Sequence, residues 1–122
     1  MDEKRGHKRF GAKGGTFAVL GPHVKNLGRI IDISKGGLAF SYHENGEPLH
    51  KLFELDILLG DNGFYLDKVP FNAVWDFQVV IDEEAPASSL APRRCGVQFG
   101  ALSDDQESQL DYFIQNHTLG EA

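Results

Sequence analysis

Apolar and polar residues alternate along much of this chain, and that alternation restricts its fold more than anything else in it. Phe53, Leu55, Ile57 and Leu59 stand on one side of a run whose other side carries Glu54, Asp56 and Leu58. Val69, Phe71, Ala73, Trp75, Phe77, Val79 and Ile81 repeat the pattern, with Asn72, Asp76 and Gln78 opposite, and Cys95, Val97, Phe99 and Ala101 make a third run. A side-chain period of two is that of an extended strand with one face buried. Thr16–Leu20, Gly28–Ser34, Leu38–Tyr42 and Phe64–Lys68 are shorter strand candidates. Between the candidates lie turn formers: Gly21-Pro22, Gly36-Gly37, Asn45-Gly46 and Asp61-Asn62-Gly63. Many short strands at this spacing predict an antiparallel barrel or sandwich. On this reading Trp75 belongs to the core, or alternatively to the barrel wall near a ligand. Cys95 is a buried structural thiol, and the acidic, Pro-rich stretch Asp82–Pro92 is an exposed loop.

A single helix is predicted, over about Ser103–His117. Ser103 serves as N-cap and Gln106 completes a capping-box pattern, while Asp104 and Asp105 complement the helix dipole. Leu110, Phe113 and Ile114 form an apolar stripe suited to covering one end of a barrel.

At 122 residues the chain fits one domain, and its nine Phe and one Trp supply much of a core. The lone cysteine excludes an intramolecular disulfide. No stretch is long and apolar enough to span a bilayer, and no apolar run follows the basic start as it does in a signal peptide. A cytoplasmic protein without direct membrane insertion is therefore expected. The net charge of −6 argues against a nucleic-acid partner. Yet Lys4, Arg5, Lys8, Arg9 and Lys13 crowd the first thirteen residues against only Asp2 and Glu3. A short basic arm on an acidic body suits a small anionic ligand better than a long polyanion; a solvated tail is the plainer reading of the charge alone.

Two motifs carry possible chemistry. In Arg5-Gly-His-Lys-Arg9 the arginines are four apart, so both guanidinia reach the same side. Such forks straddle phosphates and pair with guanine O6 and N7. In Asp32-Ile-Ser34-Lys-Gly36-Gly37, the strand spacing puts Asp32 and Ser34 on one face. Asp32 can accept from guanine N–H groups, and the glycines permit a tight turn and close approach of a ligand. An ordinary hairpin turn, with Asp or Ser bonded to local N–H groups, would use the same residues.

Together these motifs resemble the PilZ family, whose signature is RxxxR followed after a strand by (D/N)xSxxG. Arg5 and Arg9, then Asp32, Ser34 and Gly37, occupy all five signature positions. Gly28-Arg-Ile-Ile-Asp-Ile-Ser is similar to the family's second strand, and Arg94-Cys-Gly-Val-Gln-Phe to its last. The resemblance implies a mainly all-β fold, a six-stranded antiparallel β-barrel with a C-terminal α-helix. It divides the chain into a basic arm over residues 1–15 and a barrel domain over 16–119. It implies that cyclic di-GMP binds across the barrel surface under the arm, held by Arg5, Arg9, Asp32, Ser34 and Gly37; by their place in the turn and the arm, Gly36 and then Lys4, His7 and Lys8 are expected beside them. The arm, with Phe10 as its one large apolar side chain beyond the initiator, is expected to order only on ligand and to add nothing to the core. A separate effector protein of motility, pilus or polysaccharide machinery would read the signal. The alternative is a PilZ-like interaction module in pilus or flagellar function that does not bind nucleotide. The five histidines lack metal-ligand spacing, no cofactor is called for, and no nucleophile–base pair points to an enzyme.

Overall fold

The computed structural model describes residues 7–21, 26–43, 54–60, 63–79 and 92–121. Among the described residues, eight strands and one helix follow each other: β1 (Phe10–Ala12), β2 (Thr16–Gly21), β3 (Asn26–Ile33), β4 (Gly37–His43), β5 (Glu54–Leu59), β6 (Phe64–Gln78), β7 (Pro92–Phe99), α1 (Asp104–Asn116) and β8 (Thr118–Glu121). All pairings are antiparallel, in the order β2-β5-β6-β7-β4-β3-β1-β8. β2 also pairs with β3, which closes the six strands β2 to β7 into the expected barrel. Inside it, Leu20, Ile33, Leu38, Phe40, Leu55, Ile57, Leu59 and Val69 are almost wholly buried.

The helix forms as its caps dictate. The Ser103 hydroxyl accepts from the Gln106 amide, and the Gln106 side chain accepts from the Ser103 amide, both at 3.0 Å. Leu110, Phe113 and Ile114 join the barrel core, and the Phe113 ring lies 4.9 Å from that of Phe64. Gln106 also ties the helix to the sheet, because its amide donates to the Asp67 and Lys68 carbonyls at 3.1 Å.

Those carbonyls mark the first of several bulges. The expected strand Phe64–Lys68 and the run expected from Val69 to Ile81 join as one strand of 15 residues, β6, which ends at Gln78; Val80 and Ile81 lie outside the described residues. Its register slips opposite Asp56, where Lys68 takes a left-handed φ of 57° and donates its N–H to the Asp56 carboxylate at 2.9 Å. A bulge of this kind bends a long strand without ending it, which lets β6 wrap the barrel.

The boundary of the arm also differs from expectation. Phe10–Ala12 is a strand, and Phe10 packs on the core. The reason lies in β3: β2 pairs only with Asn26–Arg29, leaving the edge at Asp32 and Ile33 for another strand. An open edge exposes unpaired backbone groups, and β1 covers it. β8, which no periodicity announces, pairs in turn with β1.

Cys95 is buried, as expected, and burial first of all pushes its thiol up to about 12. Native protein at pH 8 is therefore expected to resist Ellman's reagent, and denatured protein to react with one equivalent. Rapid labelling of the native state would contradict this packing.

Candidate functional site

Two bulges turn the site residues outward. In β3, Ile30 faces Phe40 and Asp32 faces Ala39, so Ile31 is the extra residue. Ile30 and Ile33, three apart, can then both be buried, and Asp32 between them points away from the core. In β6, Ala73 faces Val97 and Trp75 faces Gly96, so Val74 is the extra residue. A shift of one residue moves each later side chain to the opposite face. Trp75 and Phe77 consequently lie outside, 40% and 51% exposed, and Trp75 is not the core residue that unbroken alternation predicts. The same flip brings Asp76 opposite buried Cys95, where it accepts from the Tyr42 hydroxyl at 2.8 Å and from Arg93 Nε at 3.1 Å. Burial and the Asp76 carboxylate push the Tyr42 phenol up, so it stays protonated and donating.

As a result Asp32, Ala39, Gly96 and Trp75 occupy one rung across β3, β4, β7 and β6. Three strand spacings separate its ends by about 14 Å, and its two middle positions carry a methyl group and a hydrogen. The rung borders an open cleft of about 280 Å³ lined by His7, Arg9, Ser34, Gly36, Trp75 and Gln98, among others.

Arg9 is carried in by β1, whose Gly11 pairs with Asp32. Its Nη1 donates to Asp32 Oδ1 at 2.7 Å. Arg9 and Asp32, one from each motif, are thus in direct contact. His7 covers Gly36 so closely that a Cβ there would stand 2.7 Å from its Cδ2. Lys8 lies 3.9 Å from Glu121, at the surface. Lys4 and Arg5 fall outside the described residues.

Ser34 and Gly37 have structural work to do in the turn. Ser34 sits just past the end of β3, buried, and its hydroxyl accepts from the Gly36 amide at 3.1 Å and donates to the Gly37 carbonyl at 3.3 Å. Ser34, not Asp32, caps the turn. Ser34→Ala would leave the Gly36 amide without this partner, at a cost of about 1–2 kcal/mol. Thermal unfolding should show this loss, whereas Asp32→Ala should leave the turn intact. Gly37 is required by the neighbouring strand: a Cβ there would drive into the Val97 carbonyl of β7. The side chain that sequence reasoning left undecided is Trp75. No local signal marks it, because the alternation from Val69 to Ile81 is unbroken in the sequence and the one-residue excess at Val74 exists only against Val97 and Gly96 of β7.

No family model and no curated protein matches the chain by sequence. Solved structures do match by shape. The PilZ domain of Escherichia coli YcgR, solved with c-di-GMP, superposes with a TM-score of 0.69 at 18% identity, covering 94% of this chain and 92% of that one. The K. pneumonia MrkH–c-di-GMP complex superposes with a TM-score of 0.71 at 17% identity over 95% of this chain, which spans about half (53%) of MrkH. Sharing this barrel and helix over nearly its whole length, the chain has the fold of the PilZ domains.

Proposed function

We propose that this protein is a receptor for cyclic di-GMP. The observation that carries the reading is the rung that faces Arg9 and Asp32 toward Trp75 over a floor of Ala39 and Gly96. A guanine suits each end of it. Its O6 and N7 accept from an arginine fork, its N–H groups donate to a carboxylate, and its ring stacks on an indole. Arg5, Arg9 and Lys8 supply positive charge for the phosphates, with Lys4 and His7 close by in the chain. Gly36 offers room once His7 moves aside. YcgR and MrkH, whose fold this chain shares, are solved with c-di-GMP.

Ligand entry competes with Asp32 for Arg9 and with His7 for the space over Gly36. The arm is thereby rearranged, and an effector protein in the cytoplasm reads the altered surface. The signature residues support this reading over that of a pilus or flagellar interaction module without nucleotide, and no catalytic step is assigned. Calorimetry should find cyclic di-GMP bound more tightly than GMP or cyclic di-AMP, because adenine presents a donor where guanine has O6. Equal affinity for cyclic di-AMP would remove guanine recognition from this site.

A further inference from the structure

We infer that Gly96 and Phe77 are positioning residues that set the indole of Trp75 as a ready-made stacking wall for one purine of the ligand. This rests on the cyclic di-GMP reading and deepens it. Trp75 and Phe77 are two apart on β6, beyond the Val74 bulge, and both are outside the barrel. Their rings stack, with centroids 5.2 Å apart and planes 21° from parallel. Phe77 therefore covers one face of the indole and restricts its rotation about the side-chain bonds. The other restraint comes from across the strand pair. A Cβ on Gly96 would lie 2.6 Å from Trp75 Cζ2 and closer still to Cε2 and Nε1, so the indole occupies the volume that any other residue at 96 would fill. Glycine at this position thus lets the ring lean over β7, at the border of the cleft that also holds Arg9, Ser34 and Gly36.

Phe77 is half exposed and Trp75 only a little less, so neither belongs to the buried core. A stacking platform gains from being held still before the base arrives, because less side-chain freedom is then lost on binding. Base–aromatic stacking tolerates any base, so this wall provides affinity while the arginine and carboxylate across the rung provide the choice of guanine.

Trp75 is the only tryptophan, so its fluorescence reports this position alone. In the ligand-free protein, Gly96→Ala should displace the indole into solvent and red-shift its emission. Since the clash is with a partly exposed side chain that can be pushed off β7, and not with backbone, the melting temperature should change little. Phe77→Leu should alter the emission in the same sense while keeping an apolar side chain, and Phe77→Tyr should restore it. Titrated with cyclic di-GMP, Gly96→Ala and Phe77→Leu should bind more weakly, within the range of about 5- to 150-fold that loss of a stacked base implies, and Phe77→Tyr should bind like the parent. Parental emission and affinity in both Gly96→Ala and Phe77→Leu would overturn the inference while leaving the receptor reading in place. A parent protein that fails to bind cyclic di-GMP would overturn the receptor reading, and this inference with it.

Discussion

Gly37→Ala is expected to lower the melting temperature by roughly 10 °C, from a loss of about 3 kcal/mol at the upper end of overpacking costs. β4 begins at Gly37, opposite Gln98 of β7, and an added Cβ would meet the Val97 carbonyl oxygen well inside van der Waals contact. That oxygen belongs to the backbone of a neighbouring barrel strand and cannot rotate away. Either β4 and β7 separate locally or the turn from Ser34 to Gly37, closed by a hydrogen bond that the Ser34 N–H donates to the Gly37 carbonyl at 2.8 Å, has to open. Gly36→Ala provides the control. Its added methyl group meets the imidazole of His7, a side chain free to swing out, so the melting temperature should hardly move. Thermal unfolding followed by circular dichroism distinguishes the two. Equal melting temperatures for the two variants would contradict a structural role for Gly37, a glycine that the motif alone would assign to ligand contact.

Arg9→Ala is expected to weaken cyclic di-GMP binding by about 5- to 150-fold, the range for losing a bidentate contact worth about 1–3 kcal/mol. Its effect on the ligand-free protein should be much smaller. The side chains of Arg9 and Asp32 keep 29% and 24% of their exposure, and a partly solvated pair contributes about 0–1 kcal/mol, or roughly 4 °C at most. Asp32→Ala should weaken binding too, with a similarly small thermal effect, since Ser34 holds the turn. The two residues touch, so the double variant should lose less affinity than the sum of the single ones. Calorimetry and melting curves on the three variants together make the test. Parental affinity in Arg9→Ala would show that the arm is no part of the site. A fall in melting temperature far beyond a few degrees would show that Arg9 is integral to the fold through β1.

Most strands and the helix were legible because their signals are local. The Ser103 and Gln106 cap, and the apolar stripe Leu110, Phe113 and Ile114, lie within a few residues of each other, and each appears as expected. β5, from Glu54 to Leu59, buries every second residue in the phase its sequence predicts. The pairing of Arg9 with Asp32 is a different matter. Motif resemblance brought these two residues into one site, although 23 positions separate them in the chain. The expectation of an arm outside the fold failed at Phe10, because its composition says nothing of the free edge on β3 that β1 fills.

The sequence by itself determined the class of the fold, the faces of the uninterrupted strands, the helix with its caps, and the pair of signature motifs. Period, turn chemistry and capping all operate over a few residues, so they can be read without knowing the neighbours in space. Tertiary structure alone decided where the alternation changes phase. A bulge exists only relative to a partner strand: Ile31 is extra against Phe40 and Ala39, and Val74 against Val97 and Gly96. Those two slips turn Asp32 and Trp75 to the outer face. With them the barrel wall, which strict alternation would leave as an ordinary half-buried sheet, acquires a charged end and an aromatic end on one rung.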